Sequence, residues 1–359
     1  MQQTIESNKT LLVDGPASIQ LVSGKSEVFG YQLKETSRII VREGKRLPFF
    51  VLEKAVFDLS LGPNAGIQEV VGSTIPLSWN KPIEAILGLQ QKPLIIMLLG
   101  KIDSGKSSYC NYLVNKLVDE KCKVAVLDVD IGQSDIGPSA TVGYAVTSKP
   151  VKELCDLKLR NALFVGVTSP ITAIAKTIDG LASMKAELLK KPVDFVLVNT
   201  DGWVTGDVAV KYKAALIKEL KPDIIVGVEV ETELEPLIAY LNAPVILVES
   251  SLFLGERTTE KRKILREMTY TRYLKDSKLQ CYPITQVIIE PKNALPKNQT
   301  PGKGLLVGLY RSDHKFLGIG ILREINQIRK ALKIQTTVSA KPYKIVLGKV
   351  LLDKKFREI

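Results

Sequence analysis

Eight consecutive residues constrain this chain more than any other feature: Gly100-Lys101-Ile102-Asp103-Ser104-Gly105-Lys106-Ser107 fits the phosphate-binding loop pattern of Gly, four free positions, Gly, Lys, then Ser or Thr. The flanks agree with the pattern. Pro93 precedes an apolar run over 94–99, dense enough for a buried parallel strand. Beyond Ser107, apolar residues at Cys110, Leu113, Val114, Leu117 and Val118 trace one face of a helix. Strand, glycine loop and helix follow in the order a nucleotide cradle requires. A helix N-terminus offers unpaired N–H groups and a positive dipole end to an anion, and glycines let the backbone approach closely. Gly100 to Ser107, with the adjacent Ser108, is therefore read as a nucleoside triphosphate site. Lys106 is expected to reach the β and γ phosphates and Ser107 to hold Mg²⁺.

From 94 to about 250, apolar runs at 94–99, 124–130, 162–167, 195–200, 224–230 and 245–249 alternate with helical patterns. This spacing predicts an α/β fold of the P-loop NTPase class, a three-layer parallel-sheet core with ligands at the C-terminal strand ends. Ahead of it, short apolar runs broken by Gly15-Pro16, Gly24 and Gly44 predict a small β domain over residues 1–92, closing with a short helix at 82–89. The loop, the alternating core and a lid helix occupy 93–278. After that, β-like runs return at 284–289, 304–309, 316–322, 334–338 and 345–352, a second small β domain over 279–359.

Charge distinguishes this last segment. The net charge is +12, and residues 279–359 carry 15 Lys and Arg against 5 Asp and Glu. Charge alone leaves a solvated basic surface and a polyanionic partner such as nucleic acid both open. Cys110, Cys122, Cys155 and Cys281 show no zinc-ligand spacing and read as buried thiols in a reducing compartment. The single histidine, His314, lies in a turn-like Arg311-Ser312-Asp313-His314, which argues against histidine catalysis and His-rich metal sites. No apolar run approaches ~20 residues and no cleavable leader is visible, so a cytoplasmic or otherwise intracellular protein without a membrane partner is expected.

Three further stretches carry candidate chemistry. The run 124–130 ends in Asp128-Val129-Asp130, and alternation along a strand points both carboxylates the same way. An Asp there can hold Mg²⁺ or take a proton from an attacking hydroxyl; the bland alternative is a loop cap. Past the run 195–200, Asn199-Thr200-Asp201-Gly202-Trp203 places an aromatic face where it could stack on a base, with core packing as the alternative. The GTPase motif Asn-Lys-x-Asp is absent, because Asn199 and Asp201 are two apart. In the stretch 255–273, Ile264, Leu265 and Met268 share one helical side and Arg262, Arg266, Tyr270 and Tyr273 the other, a face suited to phosphate unless it is merely solvated.

Over nearly its whole length the chain resembles the polynucleotide 5′-hydroxyl kinase family, which includes the RNA kinase subunit of eukaryotic mRNA cleavage factor, nucleolar pre-rRNA processing kinases and archaeal homologues. The resemblance rests on Ser23-Gly24-Lys25-Ser26-Glu27-Val28-Phe29-Gly30, the phosphate loop, Asp128-Val129-Asp130-Ile131-Gly132-Gln133, Thr168-Ser169-Pro170, Asn199-Thr200-Asp201-Gly202-Trp203 and the arginine helix. It implies transfer of the γ-phosphate of ATP to the 5′-hydroxyl of RNA, with DNA a second acceptor, and Mg²⁺ as cofactor. It implies Asp130 as the acid that activates the hydroxyl and organises the metal with Ser107. It further implies Gln133, Thr168 and Trp203 near the terminal nucleotide, Arg262 and Arg266 as lid arginines on the transferring phosphoryl group, with Lys261 as an alternative to Arg262, and Arg46 as a nucleotide contact. The partners implied are ATP, single-stranded or 5′-terminal RNA, and RNA-processing proteins. An ATP-binding scaffold of an RNA-processing assembly is the alternative function; intact Lys106, Ser107 and Asp130 favour the enzyme. A GTPase or partitioning-type ATPase is disfavoured by the missing guanine motif and the extra basic domain.

Overall fold

The computed structural model describes residues 1–241, 243–253, 255, 257–291, 304–326 and 328–359. They form two compact units. The first comprises Met1–Val126, Val146–Lys158 and Leu188–Arg262, and the second Leu127–Ala145, Leu159–Glu187 and Lys263–Ile359.

The first unit begins with strands β1 (Gln2–Ile5), β2 (Lys9–Asp14), β3 (Ala17–Val28), β4 (Tyr31–Gln32), β5 (Arg38–Val41), β6 (Arg46–Leu61) and β7 (Gly66–Val71). They hydrogen-bond in the order β4-β3-β6-β2-β7, with β1 on β6 and β5 on β3. Period-two burial of Leu47, Phe49 and Val51, then Ala55, Phe57 and Leu59, gives β6 its inner face. Residues 46–61 are thus one continuous strand. Gly24, which reads as a turn in the sequence, is a bulge inside β3 at φ +91, where a Cβ would lie 2.2 Å from the Lys54 carbonyl oxygen.

A 3₁₀ turn at Leu77–Asn80 leads into α1 (Lys81–Gly88), then β8 (Leu94–Leu99) and α2 (Lys106–Asp119). Along the chain follow β9 (Val124–Asp128), β10 (Thr141–Thr147), β11 (Leu159–Phe164), α3 (Ile174–Leu188), β12 (Phe195–Asn199), α4 (Asp207–Leu220), β13 (Ile224–Glu229), α5 (Glu235–Leu241), β14 (Val245–Glu249) and α6 (Thr259–Leu274). Within the first unit β8 pairs in parallel with β12 on one edge and β13 on the other, and β13 pairs with β14. Every residue of β8 is buried, which is why it reads as an unbroken apolar run rather than an alternating one.

The second unit contains an antiparallel pair that the alternation of runs did not anticipate. Val142 lies opposite Leu163 in β10 and β11, so the run at 162–167 belongs to a strand that ends at Phe164 and pairs antiparallel. Strand β9 also ends earlier than the run 124–130, so Asp128 closes it and Asp130 lies in the following loop. The basic segment adds β15 (Lys278–Pro283), β16 (Ile288–Glu290), β17 (Leu305–Tyr310), β18 (Phe316–Asn326), β19 (Ala331–Thr336) and β20 (Lys344–Leu351), ordered β15-β19-β18-β17-β20-β16. The run at 284–289 divides, because a 3₁₀ turn at Ile284–Gln286 separates β15 from β16. A core of Phe164, Tyr270, Leu274, Leu306, Ile319, Ile321 and Val346 closes the unit.

Tyr270 is a correction: expected on the phosphate-facing side of its helix, it is fully buried, because α6 turns Leu265, Tyr270 and Leu274 inward. Cys281 is exposed and Cys122 half-buried, against the expectation of four buried thiols, while Cys110 and Cys155 are buried. His314 lies in an exposed turn at φ +64. Among the described residues no helix is long and apolar enough to cross a membrane.

Candidate active site

Between β8 and α2 the backbone folds back on itself over Gly100–Gly105. A Cβ at Gly100 would lie 2.4 Å from the Val228 carbonyl oxygen and 2.5 Å from Ser104 Oγ, so only glycine fits. Gly105 caps α2 at φ +93, a conformation that costs a side-chain-bearing residue about 1 kcal/mol or more. Lys106 opens the helix, is 7% exposed and curls back so that Nζ donates to the Lys101 carbonyl at 2.6 Å. Ser104 Oγ is buried with no hydrogen-bond partner among the described residues. At the end of β12, Asn199 Nδ2 donates to Ser107 Oγ at 3.4 Å. The loop therefore combines an ammonium, a helix N-terminus and an anchored hydroxyl, a cradle for a polyphosphate.

Asp103 adds an arginine clamp. Its Oδ2 accepts from Arg262 Nη2 at 2.8 Å and from the Arg257 backbone N–H at 3.0 Å. The first turn of α6 is thus tied to the phosphate loop within the first unit. Arg46 lies on a small cavity that it shares with Leu12, Phe29, Trp79, Ser108 and Phe253. Asp14 grips Arg46 with two bonds, to Nε at 2.8 Å and Nη2 at 2.7 Å, which raise its pKa, and Nη1 reaches the Phe253 carbonyl at 3.3 Å. The cavity offers about 20 Å³, room for about one water. Trp79 and Phe253 were not foreseen from the sequence. Trp79 donates from Nε1 to the Glu249 carbonyl at 2.7 Å and meets Tyr109 edge-on at 5.1 Å, contacts far apart along the chain that leave no local pattern.

Trp203 is only partly buried and stacks on Tyr212, with centroids 5.6 Å apart and planes 29° apart. Below it, Asp201 accepts from the Trp203 N–H at 3.0 Å, from the Tyr212 hydroxyl at 3.0 Å and from Lys213 Nζ at 3.0 Å. Lys213, fully buried, also donates to the Asp201 carbonyl at 2.7 Å. A Cβ at Gly202 would come within 2.4 Å of the Ile102 backbone nitrogen, so this loop lies directly on the phosphate loop. Tyr212 and Lys213, two side chains of α4, were also missed; a tyrosine and a lysine inside an ordinary amphipathic helix carry no signal.

In the second unit, Asp128 is fully buried and accepts from Ser134 Oγ at 3.0 Å and from the backbone N–H groups of Asp135, Ile136 and Asp130. Burial, with Asp135 and Asp130 adding, pushes its pKa up to about 7. It organises the loop. Asp130 is the more accessible carboxylate, and its Oδ1 accepts from Gly132 N at 3.0 Å and Gln133 N at 2.8 Å. A Cβ on Gly132 would lie 2.9 Å from the Thr168 carbonyl, which brings the Asp130–Gln133 turn against Thr168. Arg266 is held by a residue not foreseen: Nε and Nη2 donate to the two oxygens of Glu358, both at 2.7 Å, and Tyr270 donates to the same carboxylate at 3.3 Å. The Glu358 bonds raise the Arg266 pKa above its ordinary value.

Among the described residues no group of three or more His, Cys, Asp or Glu side chains could by itself hold a metal. Ser107 in the first unit and Asp130 in the second each offer a hard oxygen donor of the type that Mg²⁺ takes.

Residues 100–276 match the family described as mRNA cleavage and polyadenylation factor CLP1 P-loop. A polyribonucleotide 5′-hydroxyl-kinase from Pyrococcus horikoshii is 31% identical over 199 residues, 55% of this chain and 55% of its own length. One from Thermococcus kodakarensis is 32% identical over 217 residues, 60% and 61% of the two lengths. The chain spans little more than half the length of these relatives. In fold it is similar to a chain in the structure of the wild-type Clp1p–Pcf11p (454–563) complex, with a TM-score of 0.79 at 12% identity, covering 98% of this chain and 97% of that one.

Proposed function

We propose that this chain, whose residues 100–276 match the CLP1 P-loop family, is an ATP-dependent polynucleotide kinase that phosphorylates the 5′-hydroxyl of RNA, with DNA as a second acceptor. The observation that carries this reading is Trp203, stacked on Tyr212 by one face, partly exposed, and borne on a loop that touches Ile102 of the phosphate cradle. A ring held in that way suits a base of any identity, because every base has a π-face. The names of the archaeal relatives support RNA as the acceptor.

In this reading the backbone of Gly100–Ser108 and the Lys106 ammonium bind the β and γ phosphates, and Arg46 with its cavity takes the base side of ATP. Asp103 presents Arg262 to the phosphates. Gln133 and Thr168 hold the terminal nucleotide of the acceptor. The 5′ oxygen bonds to the γ phosphorus as the bond from that phosphorus to the β-bridging oxygen breaks, ADP leaves, and Asp130 takes the hydroxyl proton. Arg266 stabilises the charge that develops on the transferring group. When bound at Ser107 and Asp130, Mg²⁺ supplies further charge neutralisation at the phosphates. By segment, 1–92 serves the base, 93–278 the chemistry and 279–359 the strand. RNA-processing proteins are the partners proposed, in keeping with the Pcf11p found with the structurally similar chain.

The test is acceptor dependence. Incubated with γ-labelled ATP, an oligoribonucleotide with a free 5′-hydroxyl should take label at its 5′ end, and the same strand carrying a 5′-phosphate should take none. ATP hydrolysis without label on the strand would overturn the proposal.

A further inference from the structure

A cleft of about 310 Å³ opens in the second unit, room for roughly ten waters. Thr168, Ser169 and Thr172 give it hydroxyls on one side, and Lys349 and Glu358 line the other along with aliphatic side chains. Its walls are fixed by two glycines. A Cβ on Gly166 would lie 2.8 Å from Gly348 Cα, and one on Gly348 would lie 2.9 Å from the Gly166 carbonyl oxygen. The Lys349 N–H then donates to that same carbonyl at 2.8 Å. Thr168 and Lys349 each follow these glycines closely in sequence, so their separation is set by backbone contact rather than by side-chain rotamers.

The chemistry of the lining selects a ligand. Glu358 is already neutralised by the two bonds from Arg266, whereas Lys349 is exposed and has no ion-pair partner among the described residues. Lys349 therefore brings an unpaired ammonium beside three hydroxyls. Its lining contains no aromatic ring, so it offers a base nothing to stack on. We propose that this cleft seats the sugar–phosphate backbone of the acceptor strand, with the Lys349 ammonium on a phosphodiester and the Thr168, Ser169 and Thr172 hydroxyls on phosphate or ribose oxygens. The proposal rests on the kinase reading and gives the basic segment a defined contact in place of a diffuse field.

Binding, measured apart from turnover, tests it. The probe is an oligoribonucleotide with a free 5′-hydroxyl and a fluorophore at its 3′ end, titrated with the full chain and followed by anisotropy over a salt series. Lys349→Ala should weaken binding about two- to fivefold, the range of an exposed ion pair. It should also make the log–log salt slope shallower by ~0.7, the value for one single-strand phosphate contact. Lys349→Glu should weaken binding ~10-fold or more. Lys315→Glu, the same charge change in the β17–β18 turn, controls for the general field. Equal losses for Lys349→Glu and Lys315→Glu, or an unchanged slope for Lys349→Ala, would overturn the cleft assignment. Strand binding without any 5′ phosphorylation by the wild-type chain would instead remove the kinase reading and leave the cleft standing.

Discussion

Replacing Lys213 with methionine tests how the acceptor side of the site is held. Lys213 and Asp201 form an ion pair at 3.0 Å with side chains 0% and 7% exposed. Methionine preserves most of the volume, so the cavity contribution is small and the loss is mainly electrostatic. Removing one partner of a buried pair leaves the other charge uncompensated and costs ~3–5 kcal/mol. Asp201 would retain only the Trp203 N–H and the Tyr212 hydroxyl, so the Trp203 platform should loosen at the same time. Urea unfolding of Lys213→Met should show a lower midpoint, and the fraction that remains folded should show a raised KM for oligonucleotides. Adding Asp201→Asn removes the stranded charge and should restore part of the stability, with a coupling of ~0.5–3 kcal/mol. A single variant within ~1 kcal/mol of wild type would refute the claim that this pair holds the loop.

Three further outcomes are expected. Trp203→Ala should raise the oligonucleotide KM roughly tenfold to a hundredfold for all 5′ bases, the effect of ~1–3 kcal/mol of stacking, with a smaller stability loss than the ~3–5 kcal/mol of a fully buried tryptophan; a lowered melting temperature with normal KM would return the ring to the core. Glu358→Gln should lower kcat in the wild-type background but add nothing in Arg266→Ala, since the carboxylate acts by orienting that guanidinium; additive losses in the double variant would assign Glu358 another role. The folded pKa of Asp128 stands at about 7 against an ordinary 3.8, so the stability linked to this carboxyl is complete below about pH 4 and is lost as pH rises through about 7, on the order of 4 kcal/mol in all. Chemical unfolding between pH 4.5 and 7.5 in a chelator should show that decline, and Asp128→Asn should flatten it.

How far such a site is legible depends on whether its residues are neighbours in sequence. The phosphate loop can be read because β8 is buried on both faces and therefore uniformly apolar, and because Gly100 leaves no room for a Cβ and Gly105 takes a left-handed conformation that favours glycine. Trp203 can be placed near the site because it follows the end of β12. Its support cannot be read, since Lys213 and Tyr212 lie in α4 among residues of the same type and only tertiary packing sets them apart. Trp79, Phe253 and Glu358 act through partners up to 207 residues away, and no local spacing records such a contact. The face of α6 was misjudged for a related reason. Tyr270 has a polar tip that suits solvent as well as a buried bond to Glu358, and the apolar demand of β17 and β18 decided the matter. Strand β10, and with it the antiparallel pairing of β11, was missed because Gly143 and the threonines at the ends of β10 interrupt its apolar pattern.

The most direct test of the account is 5′-end labelling by Lys106→Ala and Asp130→Asn beside wild type, with thermal melts of all three. Lys106 supplies charge at the phosphates and Asp130 takes the hydroxyl proton, so each variant should keep a wild-type melting profile. Asp130→Asn should lose ~10²–10⁴ in turnover, the usual contribution of a general base, and Lys106→Ala should lose label transfer altogether. Near wild-type turnover by a well-folded Asp130→Asn would contradict the proposed proton transfer, and label transfer surviving in Lys106→Ala would contradict the phosphate loop as the seat of the reaction.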